Sequence, residues 1–364
     1  MKEKEVSEKF KNGIVEFLDG MEVLDVKEEF AIGSGEYDAL ADMVVTVKVG
    51  RQRRKLLIEF KQRGYPRDLE QGISGLRKLT EKRPQYIPVL VVPFISETGR
   101  RQARAAGVNY LDLSGNIHIA FDSVLIHKTS PRNEFSYKKK GIDIFSDKAS
   151  LVLRELLARP EELHTVRGLA NSASISVGWT SEVLREIEER GYLERTTRKG
   201  CRIRRIEHLL DDWTVKYNFF DNNRARHFFL RSEGIDETLS KLRESSVPED
   251  VSCALTLHGG AHLVSPFVQF NECHAYVGGE VDFDNQVERI AEDLRLSEQV
   301  SGGNFHIVKP YYVRGAFYQA RILDGLMVVS DLQLYLDLHG FPVRGKEQAE
   351  RILERSGLPG STSW

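Results

Sequence analysis

The chain has 364 residues, more than one hydrophobic core usually supports, so two or three domains are expected. Hydrophobic residues make up 41% and charged residues 29%, a composition typical of folded domains that excludes a largely disordered protein. The formal net charge is −2, so a DNA-binding surface requires local clustering of cations. A charged N-terminus without a long apolar run predicts a cytoplasmic protein with no membrane partner.

The first third of the chain alternates predicted helices and strands. β-rich runs at 43–47 and 55–60 flank Gly50 and a basic turn, which predicts a β-hairpin. The other expected elements are helices over 7–17, 69–79 and 98–106 and strands over 86–94, 108–113 and 117–121. This alternation indicates an α/β domain over residues 1–135, and the lysine-rich segment 131–141 is expected to be a linker.

Three polar side chains lie at the ends of the two hairpin strands. Asp42 opens the first strand, and Glu59 and Lys61 close the second within Ile58-Glu59-Phe60-Lys61. Residues two apart on a strand share a face, so Glu59 and Lys61 project together, and strand pairing brings Asp42 near them. Two carboxylates can hold Mg²⁺, while a lysine positions water or stabilises a charged transition state. The three residues are therefore predicted to catalyse phosphodiester hydrolysis, with Asp42 and Glu59 as metal ligands; charged ends of edge strands are the structural alternative.

This spacing resembles the restriction-endonuclease-like PD-(D/E)xK superfamily over about residues 7–121, with Asp42, Glu59 and Lys61 on its three catalytic positions. Gln71, at the start of the following helix, matches a glutamine that several members place beside the site, and Ala41 replaces the motif's proline. The resemblance implies a restriction-endonuclease-like fold and, where the site is active, a Mg²⁺-dependent nuclease. A domain can keep its fold and lose turnover, so enzyme activity stays open.

The centre of the chain predicts three helices followed by a hairpin. The helices are expected over 148–158, 166–170 and 177–190, with Thr165 and Ser176 capping the second and third and Gly191 ending the third. A tight turn at 171–175 gives the helix-turn-helix arrangement. Segments 192–195 and 201–204 alternate like strands around 197–200, which predicts a wing. Residues 142–208 are therefore expected to form a winged helix-turn-helix domain.

Two surfaces of this domain are expected to bind double-stranded DNA. The start of the third helix offers candidate groups for base edges in the major groove, namely Ser176, Gly178, Trp179, Thr180, Ser181 and Arg185. The wing is basic, because no carboxylate interrupts the run of Arg195, Arg198, Lys199, Arg202, Arg204 and Arg205, and such cations suit backbone phosphates. A winged helix used for protein contact, with a solvated wing, is the alternative, and RNA is another candidate partner.

Residues 209–364 predict a third domain of α/β type, with a strand near 253–257 and a final amphipathic helix over 346–356. The string 330–350 predicts two packed helices, the first with buried Leu332, Tyr335, Leu336 and Leu338. His258 and His262 have the spacing of a helical zinc pair, but the two glycines between them argue against a regular helix, so no metal is expected there. The three cysteines lack paired spacing and are expected to be free thiols.

The string 330–350 also resembles the C-terminal signature of bacterial AbiEi-family antitoxins of type IV toxin-antitoxin systems. Segments 107–116 and 209–213 resemble corresponding stretches of the longer members, so the resemblance extends over nearly the whole chain. It implies a transcriptional regulator that represses its own operon and opposes a nucleotidyltransferase-like toxin. The shorter antitoxins lack a nuclease-like domain, and this chain departs from them in that respect.

The predicted fold class is therefore multidomain, α/β and α+β: a restriction-endonuclease-like α/β domain, a winged helix-turn-helix and a C-terminal AbiEi-like α/β domain. The predicted function is a DNA-binding transcriptional regulator, an antitoxin-like repressor, with a Mg²⁺-dependent DNA endonuclease targeted by the winged helix as the alternative. Symmetric operator sites would imply a homodimer. Mg²⁺ is the cofactor expected, and only for an active nuclease-like site.

Overall fold

A computed structural model describes residues 2–32, 39–81, 83–130, 133–134, 142–196, 200–245, 253–278 and 282–357. Its internal contacts divide the chain into two compact units. Unit 1 consists of Met1–Gly141, Glu188–Tyr192 and Glu207–Val215, and unit 2 of Ile142–Ile187, Leu193–Ile206 and Lys216–Trp364. Among the described residues, no helix has the length and apolar character that a membrane crossing requires.

A seven-stranded sheet with helices on both faces forms unit 1. In chain order its elements are α1 (Glu3–Asn12), α2 (Ile14–Phe17), β1 (Glu22–Ile32), β2 (Ala39–Val49), β3 (Gln52–Phe60), α3 (Pro66–Thr80), β4 (Tyr86–Val92), α4 (Glu97–Ala105), β5 (Asn109–Asp112), β6 (Ile117–Phe121) and β7 (Val124–Lys128). The strands neighbour one another in chain order. β3, β4 and β5 are parallel, and the other neighbouring pairs are antiparallel. This α/β arrangement confirms the expected class for the N-terminal part.

Side chains of β3 alternate between two hydrophobic cores. Ile58 belongs to the core that includes Phe10 of α1, whereas Leu57 belongs to the core that includes Leu69 of α3. Successive residues of a strand point to opposite faces of the sheet. Glu59 follows Leu57 by two residues and therefore lies on the face that α3 covers.

The expected elements of unit 1 are confirmed, with differences at the sheet edge and the N-terminus. The helix expected over 7–17 begins at Glu3 and is interrupted near Gly13. The sequence pattern does not predict β1, because this edge strand has mostly exposed side chains and lacks a clear apolar alternation. The expected linker 131–141 lies outside the described residues, apart from 133–134.

Three helices and a two-stranded hairpin follow in the chain: α5 (Asp147–Ala158), α6 (Val166–Ser172), α7 (Val177–Arg190), β8 (Leu193–Arg195) and β9 (Cys201–Ile203). Thr165 Oγ1 accepts the backbone N–H of Gly168, and Ser176 Oγ accepts the backbone N–H of Trp179 at 3.3 Å. Both predicted N-caps are therefore confirmed. Gly191 ends α7 with a φ of +88°, which glycine adopts without strain.

Helix α8 (Ile206–Lys216) follows β9, and its residues 207–215 belong to unit 1. There Asp211 Oδ2 accepts the backbone N–H of Thr98 at 2.7 Å, and Glu207 forms an ion pair with Arg101. The stretch 209–213, expected at the start of a third domain, thus contacts α4. The three-domain division, 1–135, 142–208 and 209–364, stays a prediction.

A second seven-stranded sheet, with strands in both orientations, occupies the C-terminal part of unit 2. Its elements are α9 (Phe219–Asn222), β10 (Arg224–Phe229), α10 (Ile235–Glu244), β11 (Cys253–Thr256), α11 (Leu257–Val264), β12 (Cys273–Val277), α12 (Phe283–Asp293), β13 (Ser297–Gln299), β14 (Phe305–Lys309), β15 (Arg321–Leu323), β16 (Leu326–Val328), α13 (Asp331–His339) and α14 (Gly345–Ser356). The spatial order is β13-β10-β14-β12-β11-β16-β15. The four leucine and tyrosine side chains predicted to be buried in α13 are buried.

A buried polar network connects α5 with α13 inside unit 2. Asp337 is 0% exposed and accepts hydrogen bonds from Tyr217 at 2.7 Å, Tyr276 at 2.9 Å and Gln333 at 2.7 Å. Gln333 Oε1 in turn accepts from Nη2 of Arg154 at 2.6 Å. Burial raises the pKa of Asp337 to about 6, although these hydrogen bonds act in the opposite direction. Gln333 and Asp337 of the string 330–350 therefore have a structural role.

The segment Leu257–Val264 forms α11, although the two glycines between its histidines were expected to argue against a regular helix, and that expectation is wrong. A Cβ on Gly260 would lie 2.8 Å from the carbonyl oxygen of Leu255 and 2.9 Å from Cδ2 of Leu334. Close packing thus requires glycine there, and it outweighs a helix-propensity cost of about 1 kcal/mol. The three cysteines are free, as predicted.

Candidate functional site

The first candidate surface is the N-terminal half of α7. Residues 173–176 form a short turn between α6 and α7. Ser176, Ser181 and Arg185 are exposed, and the last two, four residues apart, lie on one face of the helix. The opposite face is fully buried, through Val183, Leu184 and Ile187. The structure therefore leaves four of the predicted DNA contacts accessible at the start of α7: Ser176, Gly178, Ser181 and Arg185.

Thr180 lies on the buried face of α7, so its prediction as a base-reading residue is wrong. Its side chain is 0% exposed, and Oγ1 donates to the carbonyl oxygen of Ser176 at 3.0 Å. Position 180 precedes Val183 and Leu184 by three and four residues, which is the spacing of one helix face. The helical period, applied strictly, identifies Thr180 as a core residue.

Trp179 is half-buried beside α5. The Nζ atom of Lys148 lies 5.5 Å from the centroid of its ring, and its indole N–H is buried without a hydrogen-bond partner among the described residues. Trp179 thus packs against α5 with part of its ring, and its DNA contact stays a prediction. Lys148, which the sequence analysis did not select, adds an exposed cation next to the start of α7.

The hairpin of β8 and β9 carries less uncompensated positive charge than its sequence indicates. Glu194 pairs with Arg202 across the strands, and its Oε2 is 3.6 Å from Arg202 and 2.7 Å from Arg204. The hydrogen bond from Arg204 holds the pKa of Glu194 below its usual value, so this carboxylate is ionised. Arg195 is exposed. Arg205 is also exposed, and the remaining predicted wing cations, Arg198 and Lys199, lie outside the described residues.

The second candidate surface is formed by Asp42, Glu59 and Lys61. The pairing of Met43 with Ile58 in β2 and β3, continued by one residue, places Asp42 opposite Glu59. Asp42 Oδ2 accepts the backbone N–H of Phe60 at 2.7 Å, and Lys61 Nζ donates to Glu59 Oε1 at 2.6 Å. The structure thus brings the three predicted side chains together at the end of the hairpin.

This group is partly withdrawn from water. The side chains of Glu59 and Lys61 are 19% and 14% exposed. Burial and the charges of Asp42 and Glu3 raise the pKa of Glu59, while its hydrogen bond with Lys61 opposes that rise. Burial lowers the pKa of Lys61, but the hydrogen bond with Glu59 and the nearby acids raise it overall. The arrangement therefore combines a cationic lysine with a carboxyl group of increased proton affinity.

The donor set fits a Mg²⁺ ion. Asp42 and Glu59 supply the oxygen ligands that Mg²⁺ prefers. Their mutual repulsion contributes to the raised pKa of Glu59, and a bound cation would relieve that repulsion. Lys61 would stay outside such an ion, close to the carboxylate that it already contacts.

Two further acids near Lys61 were not identified from the sequence. Glu3 of α1 has Oε1 3.8 Å from Lys61 Nζ. Burial raises the pKa of Asp68 of α3, and the positive charges of Arg63 and Lys61 partly oppose that rise. Neither has a local sequence signal, because both come close to Lys61 only when their helices pack against the sheet.

Helix α3 passes close to the lysine through Gly72. A Cβ at this position would lie 2.5 Å from Cδ1 of Leu90 and 3.4 Å from Cγ of Lys61. The missing side chain thus allows the Lys61 stem to lie against the helix. Gln71, the fourth predicted catalytic residue, is exposed on α3, and its role at the site stays a prediction.

Comparisons with known proteins found similarity to a protein family and to several solved structures, each over part of the chain. Residues 202–356, fewer than half of the chain, match the family described as transcriptional regulator, AbiEi antitoxin, Type IV TA system. No curated protein matches.

Solved structures give partial likenesses. EndoMS in its apo form is 20% identical over 31% of this chain and 46% of that chain, with a TM-score of 0.23. A repair endonuclease from Pyrococcus abyssi is 20% identical over 30% and 45%, with a TM-score of 0.23. A protein of unknown function, AF1548, is 11% identical over 50% and 96%, with a TM-score of 0.23. The chain thus spans less than half the length of the first two, and TM-scores of this size do not establish a shared fold.

Proposed function

We propose that the protein is a DNA-binding transcriptional regulator, an antitoxin-like repressor, in which α5 to β9 act as a winged helix-turn-helix. The observation that carries this proposal is the exposed N-terminal face of α7, which follows a short turn and precedes an arginine-containing hairpin. Such a helix can enter the major groove while the hairpin contacts the flanking backbone. The family match at 202–356, whose description names a transcriptional regulator and antitoxin, supports the same function.

The polar groups on α7 suit base edges better than they suit phosphates. Ser181 can donate or accept, and Arg185 can contact guanine through two hydrogen bonds. Glu182 and Glu189 are also exposed on this helix, so its charge is mixed and its contribution to non-specific attraction is small. Sequence-dependent contacts are therefore assigned to α7, and phosphate contacts to Lys148 and the wing.

The ion pairs of Glu194 regulate how much charge the wing offers. Because the side chains of Glu194 and Arg204 are about half exposed, solvent screens their pairing and the cost of breaking it is small. A phosphate can replace the carboxylate at that cost. Removing the acid would free Arg204 from this pairing, whereas Arg202 would keep a 4.0 Å ion pair with Glu161.

A binding titration tests the proposal. Fluorescence anisotropy with a labelled duplex from the region upstream of the protein's own gene is expected to show saturable binding that weakens with salt. Arg185→Ala should lower affinity about 5- to 160-fold, which corresponds to one base contact of about 1–3 kcal/mol. Glu194→Gln should raise affinity and steepen the salt dependence, by up to about one phosphate contact per freed arginine.

Glu237→Gln serves as the matched control, because it also removes an exposed acid paired with a basic side chain, here Lys241 of α10. It should leave DNA affinity unchanged. Absence of saturable duplex binding, or equal effects of the three substitutions, would refute the assignment of DNA binding to α7 and the wing. Tighter retention of duplex RNA of equal length in competition would replace DNA by RNA as the partner.

The antitoxin part of the proposal requires a toxin. Co-expression with a neighbouring nucleotidyltransferase-like gene is expected to relieve the growth arrest that this gene causes alone. DNA binding and toxin neutralisation are expected to use separate surfaces. Arg185→Ala should therefore abolish repression and leave the rescue of growth intact. Sedimentation analysis of the DNA complex checks the proposed homodimer, because a symmetric operator requires two copies.

A second candidate function is Mg²⁺-dependent cleavage of DNA by the Asp42, Glu59 and Lys61 group. The observation that favours it is the direct contact of Lys61 with Glu59 beside Asp42 on paired strands. The carboxylates would hold the ion, which supplies charge stabilisation at the phosphate, and Lys61 would stabilise negative charge next to it. Plasmid nicking with Mg²⁺ that is lost in Glu59→Gln and retained in Glu22→Gln, an exposed acid of β1, would support this function. Intact plasmid with Mg²⁺ and Mn²⁺ would refute it.

A further inference from the structure

Three histidines lie side by side across the C-terminal sheet. β10, β14 and β12 are consecutive in the sheet, and the register pairs His227 with His306 and His306 with His274. Residues paired in this way share a face of the sheet. The ring centroids are 5.0 Å apart for His227 and His306 and 4.4 Å apart for His274 and His306. Three imidazoles, from strands distant in sequence, therefore form one row.

Glu272 lies at one end of this row, immediately before β12. Its Oε2 is 3.4 Å from Nε2 of His306, and the ligand atoms of Glu272, His274 and His306 all lie within 4.8 Å of one another. Nε2 of His306 is buried and has no hydrogen bond with any described residue. Its contact with Glu272 is longer than a good hydrogen bond, so this buried nitrogen has only a weak partner beside a carboxylate and a second imidazole.

We infer that Glu272, His274 and His306 bind one divalent first-row transition-metal ion. Imidazole nitrogen and carboxylate oxygen are ligands for zinc and its neighbours, and three protein ligands leave a position for water or another small ligand. Zinc–ligand distances of about 2.0–2.2 Å place tetrahedral ligand atoms about 3.3–3.6 Å apart. Side-chain adjustments of about 1–1.5 Å would bring the donors to those distances. The site is separate from α7, the wing and the Asp42 group, and it does not depend on the proposed function.

His227 acts on this site as a positioning residue. Nδ1 of His306 lies 2.9 Å from Nδ1 of His227. When Nε2 of His306 binds the ion, its proton is on Nδ1, which then donates to Nδ1 of His227. A second partner of this kind fixes the tautomer and orientation of a metal-binding histidine.

Buried and aromatic side chains enclose most of the site. His274 and His306 are both buried, whereas Glu272 is exposed. The rings of Phe219 and Phe341 contact His274 at centroid distances of 5.8 and 5.6 Å and shield that side from water. The Glu272 side chain is 48% exposed, which gives ions a route from solvent.

Metal titration of the full chain tests the inference. After treatment with EDTA and buffer exchange, Zn²⁺ is titrated against a chromophoric chelator, and Co²⁺ is titrated while its visible absorption is recorded. One equivalent of Zn²⁺ is expected to bind, and Co²⁺ should give the d–d bands of a site with nitrogen ligands. His306→Gln and Glu272→Gln should each weaken binding at least 10-fold, and His227→Gln should weaken it by about 10- to 100-fold.

Two control variants distinguish metal binding at this site from metal binding by other side chains of the protein. His127→Gln removes an exposed histidine of β7, and Glu59→Gln disrupts the second candidate surface; both should retain the equivalent of Zn²⁺. Glu272 is about half solvent-exposed, so Glu272→Gln reports on the site even when a substitution of buried His306 disturbs folding. Absence of stoichiometric Zn²⁺ and Co²⁺ binding, or affinity unchanged in Glu272→Gln and His306→Gln, would overturn the inference.

Discussion

The buried Arg154 guanidinium gives a quantitative prediction about unit 2. Arg154 is 1% exposed on α5, donates to Gln333 Oε1 at 2.6 Å and lies 5.3 Å from the ring centroid of Tyr312. Its charge also offsets that of the buried Asp337, which Gln333 contacts through its amide nitrogen. Arg154→Met retains much of the side-chain length and removes the charge and every donor.

The expected cost follows from the groups left behind. Loss of the donor leaves the buried Gln333 oxygen unpaired, at about 1–3 kcal/mol. Loss of the cation–π contact with Tyr312 adds about 1–2 kcal/mol of destabilisation. The folded protein no longer has to desolvate a guanidinium, and this offsets part of the destabilisation. We expect Arg154→Met to lower the free energy of unfolding by about 3 kcal/mol, close to the range measured when one partner of a buried charge pair is removed.

Urea unfolding followed by circular dichroism measures this cost. Gln333→Leu and the double variant complete a cycle, and the double variant should be less destabilised than the sum by at least about 1 kcal/mol, because the two side chains share one hydrogen bond. Arg159→Met is the control, since that arginine is half exposed and should change stability by less than about 0.5 kcal/mol. An Arg154→Met protein within 0.5 kcal/mol of the parent, at an unchanged denaturant slope, would refute this account of the network.

Three further predictions follow from local geometry. Gly72→Ala should destabilise the protein by about 1–3 kcal/mol in thermal or urea unfolding, because its Cβ would lie 2.5 Å from a leucine methyl group. Gly75→Ala in the same helix has no heavy atom within 4 Å of the new Cβ and should stabilise the protein by up to about 1 kcal/mol. The pKa of Asp337, raised to about 6 by burial, exceeds the unfolded value of about 3.9, so protonation favours the folded state. The stabilisation from Asp337 should be complete below a pH of about 4 and should be lost as the pH rises through 6, by up to about 3 kcal/mol. In unfolding measured across this pH range, Asp337→Asn should remove this pH dependence of stability. A pH profile unchanged by the substitution would contradict this prediction. Thr180→Val should alter DNA affinity less than about 2-fold in the anisotropy titration where Arg185→Ala alters it more, because position 180 is buried; an effect equal to that of Arg185→Ala would show that Thr180 contacts DNA.

Local signals were sufficient for most elements near the candidate sites. The hairpin of β2 and β3 follows from β-rich runs around a glycine turn, and the start of α7 follows from the Ser176 cap. The common face of Glu59 and Lys61 follows from the two-residue period of a strand. These predictions succeed because each depends on residues within one or two turns of chain.

Local patterns did not predict interactions between segments that are distant in the sequence. Glu194 neutralises part of the wing because the register places it opposite Arg202, and the charge count from Arg195 to Arg205 stops one residue short of it. α11 accommodates its glycines because Leu255 and Leu334 pack against Gly260 and Cys273 packs against Gly259. In both cases the deciding partner comes from another strand or helix.

By itself, the sequence determined the alternation of helices and strands, the caps and turns, and the residue types of two candidate sites. Those features depend on backbone propensity and on periodicity, which neighbouring residues specify. Only the tertiary structure decided which side chains meet: Glu3 near Lys61, Gln333 between Arg154 and Asp337, and the histidines of β10, β12 and β14 in one row. Such contacts depend on strand order and register, and these are set by burial across the whole chain rather than by any local pattern.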